Sequence, residues 1–173
     1  MTDAINFEGV DLGFEADDLE IKGGGGGDYK CMKGWYTAEL QSGAGVKETP
    51  KGNIIEVPFS EFATEDGEGY EEGVGGIAGR EVPWTTWLTF DGDDNRARAA
   101  KGLTSLCRAL GIADEVDGKF TLPSMDLTEV LEMVDGMAGS RVKVEMSPKK
   151  SGKKDDGTFF MNERVFQVAP NDD

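Results

Sequence analysis

Histidine is absent from the 173-residue sequence, which removes every mechanism built on an imidazole base and every His-ligated zinc or iron site. Cysteine is nearly absent. Cys31 and Cys107 form no spaced metal motif and read as reduced thiols, with core packing their ordinary role. No apolar run approaches the ~20 residues that a membrane span needs. The opening stretch, MTDAINFEGVDLGF, lacks both the basic start and the apolar stretch of a secretory leader. These gaps predict a cytoplasmic protein with no membrane partner. Positive charge is also scarce, 18 Lys and Arg against 34 Asp and Glu, for a net charge of −16. Taken alone, that deficit argues against nucleic acid, because phosphate contacts demand cations.

The distribution of charge changes the inference. Seven acids and no base lie in the first twenty residues, and six acids and no base lie in 61–72. Residues 141–154 carry Arg141, Lys143, Lys149, Lys150, Lys153 and Lys154 against the single acid Glu145. One segment of an acidic chain is therefore locally basic. Gly23 to Gly27 form an uninterrupted run that reads as a flexible linker. Residues 1–27 are accordingly expected to be an acidic N-terminal arm outside the core, 28–169 a single domain, and 170–173 a short acidic tail.

Within that domain the hydrophobic pattern predicts strands first. Residues 34–40 alternate, with Tyr36, Ala38 and Leu40 on one face and Trp35, Thr37 and Glu39 on the other. Residues 42–52 read as a long turn holding Lys47 and Lys51. Residues 53–59 place Ile55, Val57 and Phe59 on one face, and Pro58 suggests an edge or a bulge. A third strand is expected over 80–90. The period then becomes helical over 94–110, where Ala99, Leu103, Leu106, Cys107 and Leu110 share a face. Asp93 or Asp94 is the expected N-cap and Gly111 the stop. A short helix begins at Asp126, with Glu129 completing a capping-box pattern, and ends near Gly136. Strands follow at 140–146 and 158–168. The expectation is a mainly β protein: a five-stranded OB-like barrel with a helix between strands three and four and a second short helix.

Several motifs fail on context. The glycine run lacks the following Lys-Ser/Thr of a P-loop, and Gly73 to Ala78 precede a strand rather than joining strand to helix. Asp91 to Asn95 begin like a calcium loop, but Arg96 occupies the glycine position and Gly102 the position of the bidentate glutamate. No carboxylates converge as a metal-dependent nuclease requires. The sequence predicts no catalytic residue, no metal site and no cofactor.

Aromatic and basic residues carry the positive signal, since single strands are held by cationic grooves and by rings on which bases stack. The candidate stacking residues are Trp35, Trp84 and Trp87, and Phe159 and Phe160. Trp84 and Trp87 lie on opposite faces of one strand, so one is core and the other exposed. Phe159 and Phe160 are split in the same way. The candidate phosphate contacts are Lys47, Lys51, Arg80, Arg141, Lys143, Lys149, Lys150, Lys153 and Lys154. For each ring, core packing is the competing reading; for the lysine-rich turn, a solvated hairpin tip.

The pattern resembles phage-encoded single-stranded-DNA-binding proteins, a family often described only as conserved phage proteins of unknown function. The resemblance rests on Gly34 to Leu40, on Lys51-Gly52 with the strand to Phe59, and on Gly79 to Val82 with Leu88 to Phe90. Its strongest stretch is Gly102 to Gly111; Met137 to Val144 and Phe160 to Phe166 complete it. It spans roughly residues 29–168. It implies an OB-fold protein that coats single-stranded DNA in the infected bacterial cytoplasm, protects it, and recruits phage or host replication and recombination proteins, with homo-oligomers a further expectation. The acidic arm and the short tail depart from that pattern. Two rivals of other classes are an acidic interaction module, such as a DNA mimic that blocks a host nuclease, and a structural virion component.

Overall fold

A computed structural model describes residues 5–19, 34–64, 81–147, 149–153, 155–157 and 159–171, with the backbone alone at 64, 149–153 and 159–162. The strands are β1 (Gly34–Leu40), β2 (Gly45–Thr49), β3 (Gly52–Thr64), β4 (Val82–Trp87), β5 (Thr89–Phe90) and β6 (Asp93–Asp94) before helix α1 (Arg96–Ala109). After α1 come β7 (Asp114–Val116), β8 (Lys119–Thr121), α2 (Leu127–Asp135), β9 (Arg141–Met146), β10 (Lys149–Lys153), β11 (Phe159–Asn162) and β12 (Val165–Ala169).

Five strands form a ring. β1 pairs with β3, β3 with β4, β4 with β12, β12 with β9, and β9 returns to β1. The β4–β12 contact is parallel, through Val165 and Trp84, and the other four are antiparallel. β2 lies outside the ring, paired with β3 alone. Both helices fall between β4 and β9 in the chain, so the apolar faces of sheet and helices meet in one core.

Alternation sets the inward faces. Tyr36, Ala38 and Leu40 of β1 and Val142, Val144 and Met146 of β9 are buried, while their neighbours turn outward. β3 begins in the same way with Ile55, Val57 and Phe59 and then changes phase, so that Phe62 is the next inward side chain. A bulge causes the shift, because Thr37 faces Ala63 while Glu39 faces Ser60. Glu61 takes the extra position at φ 53°, a left-handed conformation that costs a non-glycine residue. Pro58 sits opposite Pro83, which pairs two residues without an N–H at one register point.

Helix α1 buries the face the spacing predicts. It closes as a Schellman turn: Ile112 N donates to Cys107 O at 2.9 Å, and Gly111 supplies φ 76°. Its start differs from expectation. Asp93 and Asp94 belong to a two-residue strand folded back on β5 through the Asp91–Gly92 turn, so Asn95 occupies the N-cap without a side-chain cap bond. Asp94 instead accepts from the backbone N–H and the guanidinium of Arg96. On α2, Asp126 caps as expected, accepting from Thr128 N at 2.9 Å. Glu129 works through a relay, accepting from Ser124 Oγ, which in turn accepts from the Asp126 N–H.

Five further readings need correction. Residues 42–52 are not all turn, because 45–49 form β2 against β3. The third strand stops at Trp87, where Leu88 turns inward. Residues 149–153 are a strand paired with β11, and the expected last strand is divided at Glu163–Arg164 into β11 and β12. The β7–β8 hairpin, exposed and poor in apolar alternation, left no periodic signal. The largest correction is the N-terminal segment. Phe7 is fully buried in the common core, Leu19 is buried, and Ile5, Val10, Leu12 and Phe14 pack against that core. Phe14 pairs through its backbone with Phe120 of β8, and Phe7 N donates to Met125 O at 3.1 Å. Arg96 adds a clamp, donating to the carbonyls of Asn6 and Glu8. Apolar residues scattered among acids outweighed the acidic composition. The glycine run at 23–27 and Cys31 lie outside the described residues.

Candidate nucleic-acid interface

Two outward faces of the sheet collect the candidate residues, on different arcs of the ring. On β2–β3–β4 the register places Lys47 opposite Ile54, and Ile54 opposite Trp87. Opposed residues of an antiparallel ladder share a face with Cβ atoms ~5 Å apart, so a cation, an aliphatic side chain and an indole form one row. Lys47 is exposed, and Ile54 and Trp87 are half-buried. Phe90 extends the row edge-on, its ring 5.0 Å from that of Trp87 at 63°. Lys51 is exposed on the β2–β3 turn. Three bonds fix that turn: Thr49 Oγ1 donates to Gly52 O at 2.8 Å, Lys51 N donates to Thr49 Oγ1, and Asp91 N donates to Lys51 O at 2.7 Å. Gly52 is required at φ 148°, because a Cβ there would strike the carbonyl of Thr89.

The second face belongs to β1, β9 and β12. Trp35 stands opposite Glu145, which stands opposite Gln167; one row along, Thr37 faces Lys143, and beyond it Glu39 faces Arg141. Arg141 is exposed, yet one of its nitrogens bonds Thr37 Oγ1 and the Glu61 carbonyl, both at 2.9 Å. The bulge in β3 thus orients this guanidinium. Gln167 is buried and donates from Nε2 to Glu145 Oε1 at 3.1 Å. Burial pushes the Glu145 carboxyl above its usual range, and the amide bond from Gln167 offsets part of that rise.

The remaining candidates divide. Trp84 is 5% exposed and packs its ring edge on Gly102 of α1, so it offers no face to a ligand. Of the two tryptophans on this strand, Trp87 is the outward one. Lys149, Lys150 and Lys153 fall on β10, and Phe159 and Phe160 on β11, in a two-stranded ribbon that leads into β12 beside β4. In that ribbon Lys153 is opposite Phe159, and Lys150 is opposite Met161. Arg80 and Lys154 lie outside the described residues. The expected separation of charges is not seen on these strands, where Glu39, Glu48, Glu56, Glu61 and Glu145 are interleaved with Lys47, Arg141 and Lys143.

Sequence reasoning missed Ile54, Phe90, Glu145 and Gln167. Ile54 was legible from alternation, being the neighbour of inward Ile55. Phe90 needed the Asp91–Gly92 turn, and Gln167 needed the β12 bulge between Val165 and Gln167 that resets the inward phase. Among the described residues no group of three or more Cys, Asp or Glu is placed to hold a metal ion, and no helix is long and apolar enough to cross a membrane. Cys107 is buried, its thiol pushed up to about 12 by desolvation, which leaves it without nucleophilic character. The sequence matches no protein-family model and no curated relative.

Proposed function

We propose that this chain is a non-enzymatic single-stranded-DNA-binding protein with an OB-type barrel, working in phage replication or recombination inside the infected cell. The observation that carries the reading is the row Lys47–Ile54–Trp87, edged by Phe90, on the outward face of β2–β3–β4. A base stacking on an accessible ring gains roughly 1–3 kcal/mol without regard to its identity, and a cation two strands away in the same row meets a nearby phosphate. The strand order supports the fold reading: an antiparallel meander, a helical insertion, and closure by one parallel pair match the five-stranded OB arrangement. In such barrels the loops after strands one and four flank the binding face. Here those loops are the segment carrying β2, Lys47 and Lys51, and the β10–β11 ribbon. Recruitment of replication or recombination partners follows from the family resemblance.

The test is a tryptophan-quenching titration of the full chain with a mixed-sequence single strand and with its duplex. Quenching by the single strand at low salt, weakening steeply as salt rises, is the expected result. Trp87→Ala should weaken binding by about tenfold, the value of one stacked base, and Lys47→Glu should lower it further. Equal affinity for duplex and single strand, or binding untouched by both substitutions, refutes the assignment.

A further inference from the structure

We infer that the outward face of β1, β9 and β12 holds a nucleobase-reading site with a preference for guanine, centred on the cross-strand row Trp35–Glu145–Gln167. The inference rests on the single-strand reading above, and it adds base discrimination to a protein otherwise tolerant of sequence.

Three chemistries converge on this face in register. Trp35, half-buried, supplies a ring beside Glu145, and both point away from the buried pair Tyr36 and Val144. Gln167, buried and bonded at 3.1 Å to Oε1, fixes the orientation of the Glu145 carboxylate, which is the task of a supporting residue in a recognition site. No other donor among the described residues bonds that carboxylate, and Glu145 remains partly open to solvent. An ionised carboxylate offers about four lone-pair sites, so one amide bond leaves capacity for two more donors. Lys143 and Arg141 follow on the same face of β9, within one and two pleats of Glu145, where a phosphate next to the held base would lie.

The donor pattern of the bases decides which one fits. Guanine presents two adjacent donors on its pairing edge, N1–H and the 2-amino group, and a carboxylate accepts both together. Thymine offers one N–H between two carbonyl oxygens, which a carboxylate repels. Adenine and cytosine offer one amino group beside a bare ring nitrogen that also repels it. An interior salt partner is a poor competing explanation for Glu145, because the group bonded to it is the neutral amide of Gln167 and its side chain faces outward.

The test compares four single strands in quenching titrations with the full chain: an all-thymine strand and three that carry guanine, inosine or 7-deazaguanine at one central position. Guanine and 7-deazaguanine, which share the pairing edge, should bind about tenfold more tightly than the all-thymine strand, the order expected of one good bidentate contact. Inosine, lacking the 2-amino group, should lose most of that gain. Glu145→Gln should abolish the preference while the all-thymine strand still binds. Equal affinity for all strands, or a guanine preference that survives Glu145→Gln, overturns the guanine site and leaves the single-strand reading standing. Absence of binding by any strand at low salt overturns both.

Discussion

Replacing Gly102 with alanine poses two opposite effects on one atom. In the interior of a helix, alanine is favoured over glycine by ~1 kcal/mol, and Gly102 lies in the middle of α1. The added methyl carbon would, however, stand 2.7 Å from Cζ2 and 3.2 Å from Cη2 of Trp84. Carbon atoms pack at roughly 3.5–4.0 Å, so the indole or the helix must give by close to an ångström. Neither is free to do so. Trp84 is a rigid ring, 5% exposed, on a strand paired on both sides, and α1 is pinned to β12 by the Ser105 hydroxyl donating to Val168 O at 3.0 Å. Overpacking of this kind costs ~1–3 kcal/mol. The steric effect therefore wins, with a net loss of up to ~2 kcal/mol and a melting temperature lower by several degrees, at about 2–4 °C per kcal/mol for a chain this size. Thermal and denaturant unfolding of Gly102→Ala measure it, and a cycle with Trp84→Phe isolates the contact. In the Trp84→Phe background the methyl enters vacated space and should stabilise, a coupling of at least ~1 kcal/mol. A Gly102→Ala protein that is more stable by the full helix propensity would show that the indole does not rest on this residue.

Two further substitutions probe the fold. Phe7→Ala should destabilise the whole domain by ~3–5 kcal/mol, because Phe7 is fully buried in the shared core; an unchanged unfolding midpoint would return the N-terminal segment to the status of a detached arm. Glu61→Gly should stabilise by about 1 kcal/mol by relieving a left-handed residue, since Glu61 stands at φ 53° in the β3 bulge and only its carbonyl is bonded to Arg141. Denaturant midpoints measure this, and a loss of stability would mean that the bulge needs the glutamate side chain.

What the sequence disclosed depended on whether one residue's neighbours settled its environment. The faces of β1 and β9 were readable because seven and six residues alternate without interruption. The stop of α1 was readable because a glycine directly follows the last periodic residue, and glycine takes the left-handed φ of 76° at position 111 without cost. The phase changes in β3 and β12 were not readable, since a bulge is a relation between two strands and leaves no period in either. They decide, however, that Phe62 is inward and Gln167 outward. Phe7 was misjudged for the same reason. Its segment is held by Met125, which bonds Phe7 itself, by Arg96 at Asn6 and Glu8, and by Phe120 at Phe14, all far away in the chain, against a local composition that reads as solvated. Of the tryptophan pair on β4, alternation could separate the two rings, but only the helical glycine at 102 says which one is inside.

Charge interleaving on the described faces bears directly on how a chain of net charge −16 could hold a polyanion. Lys47, Lys51, Arg141 and Lys143 are the cations of the two faces, and Glu39, Glu48, Glu56, Glu61 and Glu145 lie on the same strands. Those faces alone carry no positive excess, so they would gain affinity mainly from stacking. The ribbon adds Lys149, Lys150 and Lys153, with Lys154 next in sequence and no acid among them. Salt dependence distinguishes the two cases, because the slope of log K against log salt for a single strand is about −0.7 per phosphate neutralised. Four cations predict a slope of about −3, and eight predict about −6. Between 50 and 200 mM salt these correspond to losses of roughly 50-fold and roughly 2,000-fold in affinity. The steeper slope is expected, falling to the shallower one when Lys149, Lys150, Lys153 and Lys154 are all changed to Glu. A slope near −3 that those four substitutions leave unchanged would show that the ribbon faces water, and that stacking on Trp35 and Trp87 is what holds the strand.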